Sequence, residues 1–142
     1  MTGTAVVDTT CLIVLARIGR IDVLKRIFPR VCVPTAVQQE LGATPEWLTV
    51  VAPHDSALVS ALRTQSDKGE SEAIALAIEL GSSLVSDDKK ARRIARQMGL
   101  HVMGTPAVLV RAKQAGAVNQ VKPLLDAMKR VGFHMTDAIR KP

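Results

Sequence analysis

Aromatic side chains are nearly missing from this sequence: one Trp, two Phe and no Tyr, 2% of 142 residues. Such scarcity argues against a platform that binds single strands by stacking bases on rings, so nucleic-acid contact would go mainly to phosphates. The core has to be built from Val, Leu, Ile and Ala. Cysteine is also scarce, with only Cys11 and Cys32. Both sit in apolar runs, CLIVLA and VCV, lack zinc-site spacing, and read as buried thiols in a reducing compartment. His54, His101 and His134 are scattered and read as structural or surface residues. No Gly-x-Gly-x-x-Gly and no Walker-type Gly-Lys-Ser/Thr is found, which leaves out the usual dinucleotide and P-loop sites. No apolar stretch approaches a membrane span. The first apolar run, Cys11 to Ala16, is too short for a signal peptide and follows an acid rather than a basic segment. A cytoplasmic protein without membrane contact is expected.

What is present is enough for a folded domain. Hydrophobic residues make up 47% and charged residues 23%, outside the range of disordered chains. Nineteen Lys and Arg against thirteen Asp and Glu give a formal charge of +6. A basic balance favours an anionic partner, nucleic acid or an acidic protein.

Short strand patterns alternate with longer helical ones. Thr4 to Asp8, Arg30 to Val33, Ser83 to Ser86 and His101 to Met103 read as strands. Leu48 to Val51 fits a short strand or an extended loop. Helical patterns cover Leu12 to Ile18, Ile21 to Phe28, the stretch from Pro34 to before Gly42, and Ala57 to Arg63. Gly69 to Leu80 is the clearest helix, closed by Gly81. Lys89 to Met98 is a basic helix. Further helices run from Thr105 to before Gly116 and from Asn119 to Val131, with Phe133 to Met135 as a final edge strand. Apolar strands alternating with helices predict an α/β, three-layer α/β/α sandwich around a central parallel sheet of about four to five strands.

Sites in such sheets form at the carboxyl ends of strands. Asp8 ends the first strand; Asp87 and Asp88 end a later one. Each also fits the cap of the helix that follows it. Glu40 shares a helix face with Val37 and Ala36, so the spacing predicts that it is carried toward the core. Glu70 shares its face with Ala73, Ile74, Ala77 and Ile78, although a place near the positive end of a helix also explains it. Glu72 faces with Leu76 and Glu79 and is the weaker candidate. Carboxylates converging on one pocket repel each other unless a cation joins them. Oxygen donors without His or Cys suit Mg²⁺ or Mn²⁺. Lys89, Lys90, Arg92, Arg93 and Arg96 follow the acidic pair directly and read as phosphate contacts or as a solvated helix face.

These pieces together resemble the PIN-domain ribonucleases, most closely the VapC-like bacterial and archaeal branch. The matching segments are Val-Val-Asp8-Thr-Thr with Leu12-Ile13, Val33-Pro34 through Val37 with Glu40-Leu41, and Gly69-Glu70-Ser-Glu72-Ala-Ile-Ala-Leu-Ala77 with Gly81. After them come Leu84-Val-Ser-Asp87-Asp88, Ala91-Arg92, Gly99-Leu100 and Gly104-Thr105. Their order covers nearly the whole chain and implies one PIN-like nuclease domain over residues 1–142. It also implies an Mg²⁺- or Mn²⁺-dependent endoribonuclease, a hydrolase leaving 3′-hydroxyl and 5′-phosphate ends on single-stranded or structured RNA. Carried over, the catalytic acids are Asp8, Glu40, Glu70 and Asp87. Metal ligands come from the same four and Asp88, with Glu72 the weaker choice. Counting back from Ala91-Arg92 gives Asp87 as the last acid; counting on from Gly81 gives Asp88. Thr10, with Thr9 beside it, supplies the supporting hydroxyl. Lys89, Lys90, Arg92 and Arg93 are the implied RNA contacts. Glu70 stands where many relatives carry Asp, and Cys11 where a small residue or Pro is common. Many relatives are toxins of toxin–antitoxin pairs, blocked by a small antitoxin protein. The stripes Val108-Leu109-Val110 and Leu124-Leu125 would serve such a partner, a homodimer or the core. The alternative is a non-catalytic RNA- or protein-binding module on the same fold.

Overall fold

The computed structural model describes residues 3–133. Five parallel strands form one sheet in the order β3-β2-β1-β4-β5. They are β1 (Thr4–Val7), β2 (Arg30–Pro34), β3 (Leu48–Val51), β4 (Ser83–Val85) and β5 (Val102–Met103). The ambiguous Leu48–Val51 segment is therefore a strand, paired in parallel with β2 from Val31–Leu48 to Pro34–Val51. Among the described residues eight helices flank the sheet, the last two after β5: α1 (Thr9–Arg17), α2 (Asp22–Ile27), α3 (Thr35–Leu41), α4 (Ser56–Leu62), α5 (Lys68–Leu80), α6 (Lys89–Gln97), α7 (Thr105–Gln114) and α8 (Lys122–Arg130).

Strand side chains alternate between two apolar layers, as a sheet covered on both faces requires. Ala5, Val7, Val31, Val33 and Val85 pack with α1, α2, α7 and α8. Val6, Cys32 and Leu84 pack with α4, α5 and α6. The three-layer α/β/α sandwich is thus the observed fold. Both cysteines are buried and free. Val108 and Leu109 are wholly buried, and Leu124 and Leu125 pack against the same cluster. Those stripes are core, and only Val110 stays exposed.

The first helix starts at Thr9 rather than Leu12, and two further differences fall at the C-terminal end of the described residues. The last helix starts at Lys122 rather than Asn119, which puts Pro123 in the first turn, where no backbone N–H is needed. Phe133 is not in a strand; the rest of that expected edge strand, from His134, lies outside the described residues. Among the described residues no helix is long and apolar enough to cross a membrane.

α3 begins at Pro34, which has no side-chain cap to offer. Glu72 reaches across from α5 and supplies one. Its Oε1 accepts from Ala36 N at 3.0 Å and from Thr35 Oγ1 at 3.2 Å. Although charged, Glu72 is only 8% exposed, so an orphaned N–H here would be costly. Glu72→Ala is expected to destabilise the fold by about 1–3 kcal/mol. Urea unfolding reads this as a lower midpoint at unchanged slope, and Glu72→Gln, which keeps an acceptor, should lose less.

Candidate active site

Asp8 follows β1, the central strand, and Asp87 follows its neighbour β4. The two acids are joined directly. Asp8 Oδ2 accepts from Asp87 N at 3.1 Å, while Oδ1 accepts from Cys11 N at 2.9 Å and caps α1. Asp8 is therefore both a helix cap and a site residue. Ser86 adds a side-chain hydrogen bond to it.

These two residues belong to a pocket of about 310 Å³ that is also lined by Glu40, Asp67, Glu70 and Asp88. Among the described residues Thr9, Thr10, Val37 and Gly69 complete the wall, and no Lys, Arg or His contributes to it. Each acid arrives through a local structural reason. Asp67 caps α5 by accepting from Glu70 N at 2.8 Å, and Asp88 caps α6 by accepting from Ala91 N at 2.7 Å. Glu70 lies in the first turn of α5. Asp87 Oδ1 accepts from Thr105 N, at the start of α7, at 2.7 Å. Four helix N-termini thus face the acids. Each offers a partial positive charge worth roughly 0.3–1 kcal/mol to a nearby carboxylate, which makes a pocket without basic side chains tolerable.

Glu40 reaches the pocket by another route. It is exposed, not drawn into the core as its spacing with Val37 predicts. Val37 is buried over the sheet, but Glu40 lies one turn further along α3. Sharing a helix face fixes direction, not depth. Gly69 makes room for it: a Cβ there would lie 2.6 Å from Glu40 Oε1.

Helix dipoles do not offset everything. Burial, with the Asp87 charge adding to it, raises the Asp8 carboxyl from 3.8 to about 6. Burial also raises Asp87, against its Thr105 hydrogen bonds and the charge of Arg92. Glu70 is raised from 4.5 to about 7 by burial and by a hydrogen bond with Asp88, whose charge adds to the effect. Two carboxyl groups in hydrogen-bond contact share a proton. Among the described residues no group of three such side chains is placed to hold a metal ion as they stand, so the acids would have to turn inward to share one. A hard divalent cation fits the donor set, because every donor is oxygen and several carry excess negative charge. Cys11 adds no sulfur ligand, since burial holds its thiol well above the usual range and therefore protonated.

Of the expected site residues, Asp8, Glu40, Glu70, Asp87, Asp88, Thr9 and Thr10 meet in the pocket, and both members of the acidic pair line it. Glu72 does not; it is spent on α3. The expected RNA contacts on α6 do not line it either. Arg92 is no free hand for phosphate: it is 7% exposed, and its Nη1 donates to Ser86 O at 3.2 Å. Lys89, Lys90 and Arg93 remain exposed. Asp67 went unread in the sequence, although Asp67-x-x-Glu70 before an apolar run is a readable helix-start signature.

A sheet of this order with acids at the carboxyl ends of its central strands defines a PIN-like α/β fold. A family model described as "DUF3368: PIN domain" matches residues 4–142, and the chain belongs to that family. The PIN domain is generally a nuclease fold. Among solved structures the chain is similar to a PilT N-terminus domain protein, SSO1118, from the hyperthermophilic archaeon Sulfolobus solfataricus P2. That match has a TM-score of 0.50 and 17% identity, and covers 77% of this chain and 92% of the other. At this identity the likeness shows the fold alone. No curated protein matches.

The raised carboxyls set a pH dependence of stability. The folded state holds protons on Asp8 and Glu70 that the unfolded chain has already released between about pH 4 and 7. Proton excess on the folded side makes stability fall as pH rises. In chelator, unfolding free energy should drop from pH 4.5 to pH 7.5, with roughly 1–3 kcal/mol from Asp8. Asp8→Asn should flatten the profile.

Proposed function

We propose that this chain is a metal-dependent endoribonuclease of the VapC-like branch that hydrolyses RNA phosphodiester bonds. The observation that carries this reading is the pocket itself: among the described residues it is lined by six carboxylates and no basic side chain, at the carboxyl ends of β1 and β4. Asp8, Glu40, Glu70 and Asp87, with Asp88 beside them, would hold Mg²⁺ or Mn²⁺. When bound, the cation supplies charge neutralisation, Lewis acidity and an activated water.

The protein's own groups divide the remaining work. Asp8 and Asp87 are fixed by backbone amides and give the site a rigid floor. Glu40 and Glu70 enter from α3 and α5 on longer side chains. The Glu70 carboxyl, raised to about 7 while the site holds no cation, would give up its proton when the cation binds. Thr9 and Thr10 offer hydroxyls at the start of α1 for orienting a phosphate or water. Lys89, Lys90 and Arg93, exposed on the helix that Asp88 caps, would meet flanking phosphates of a single-stranded or structured RNA. Membership of a family whose fold is generally a nuclease fold supports the reading. A toxin role goes with it, with a cytoplasmic location, a homodimeric form and a small antitoxin protein as inhibitor.

Incubating the purified chain with RNA tests this directly. Cleavage should need Mg²⁺ or Mn²⁺ and stop with chelator. Asp8→Asn keeps the cap acceptor and should lower the rate at least ~100-fold, the scale of losing one preorganised charge-stabilising group. Equal cleavage by the variant would sink the assignment. Chelator-insensitive RNA binding without cleavage would return the protein to the non-catalytic binding modules.

A further inference from the structure

Thr105 does not line the acidic pocket and is wholly buried, yet it grips the buried Asp87 at both oxygens. Its N–H donates to Asp87 Oδ1 at 2.7 Å, and its hydroxyl donates to Asp87 Oδ2 at 2.5 Å. The backbone amide of Asp87 is meanwhile spent on Asp8. The residue is thus held at three points, by the end of β1 and by the start of α7. A threonine hydroxyl has one proton, and here it goes to Asp87. Gly104 lets the assembly close: a Cβ there would lie 2.9 Å from Asp87 Oδ1 and 3.0 Å from Arg92 Nη1.

We infer that Thr105 is a positioning residue, whose hydroxyl fixes the Asp87 carboxylate for the cation site. The inference rests on the metal reading above. It differs from a purely structural reading, in which Asp87 simply caps α7. The cap bond uses the Thr105 N–H, which any residue but Pro supplies; the hydroxyl adds nothing to that cap. Each Asp87 oxygen keeps a further lone pair after bonding Thr105. A gripped carboxylate therefore remains a donor while losing its freedom to rotate, which is how outer partners of metal ligands act.

Mn²⁺ titration calorimetry, with urea unfolding in chelator alongside, separates the two readings. Thr105→Val keeps the N–H, the volume and the cap, and removes only the hydroxyl. It should bind Mn²⁺ about 10- to 100-fold more weakly, the usual loss for an outer partner. Thr105→Ser should restore most of that affinity. Wild-type affinity in a folded Thr105→Val, or a Thr105→Ser as weak as Thr105→Val, overturns the inference. Should Thr105→Val fail to fold, Thr105→Ala, which also keeps the N–H and removes the hydroxyl, decides: unchanged affinity there overturns the inference. A wild-type chain that takes up no Mn²⁺ overturns the metal reading itself.

Discussion

Both oxygens of Asp8 are spent on backbone amides, one in α1 and one at Asp87. That double bond-making ties the central strand to its neighbour at the point where both chains leave the sheet. From there the connection continues through the Asp87 carboxylate to the start of α7. Capping and site-building are thus the same interactions. The fold needs an acceptor at Asp8 to start α1, and the acceptor it uses is a buried carboxylate. Burial then raises the carboxyl to about 6, so the element that organises the site also carries its electrostatic strain.

The remaining acids repeat this pattern. Asp67 and Asp88 start helices, and Glu70 sits in a first turn. Their neighbours are the partial positive charges of helix N-termini, which favour each carboxylate singly. They do little against repulsion between carboxylates, which grows with every acid added. Glu70 and Asp88 relieve part of it by sharing a hydrogen bond. A divalent cation would relieve far more, and it would do so without basic side chains that would compete for the same oxygens.

Much of this was legible in the sequence. Alternation of apolar strands with capped helices gave the layers, and the strand-end position of Asp8, Asp87 and Asp88 gave one side of the pocket. Glu70 was legible because its helix face is otherwise apolar. Depth was not. Periodicity predicts which way Glu40 points but not that α3 carries it past the sheet edge into solvent. Glu72 shows the converse: it looks like a surface acid on α5, yet a neighbouring helix without its own cap draws it inside. Arg92 sits in a run of basic residues that reads as one exposed face, and only the carbonyl of Ser86 beneath it explains its burial. Thr105 reads simply as the opening of a helix; its grip on Asp87 depends on β5 bringing it beside β4, which no local pattern encodes.

The central claim is that these acids share a cation rather than merely tolerate one another. Crystals soaked in Mn²⁺ and measured for anomalous scattering test it most directly. The account predicts an anomalous peak inside the pocket, ligated by Asp8 and Asp87 with Glu40 or Glu70 turned inward, and the Glu70–Asp88 hydrogen bond broken. A pocket without a peak, with that hydrogen bond intact at saturating Mn²⁺, would contradict it.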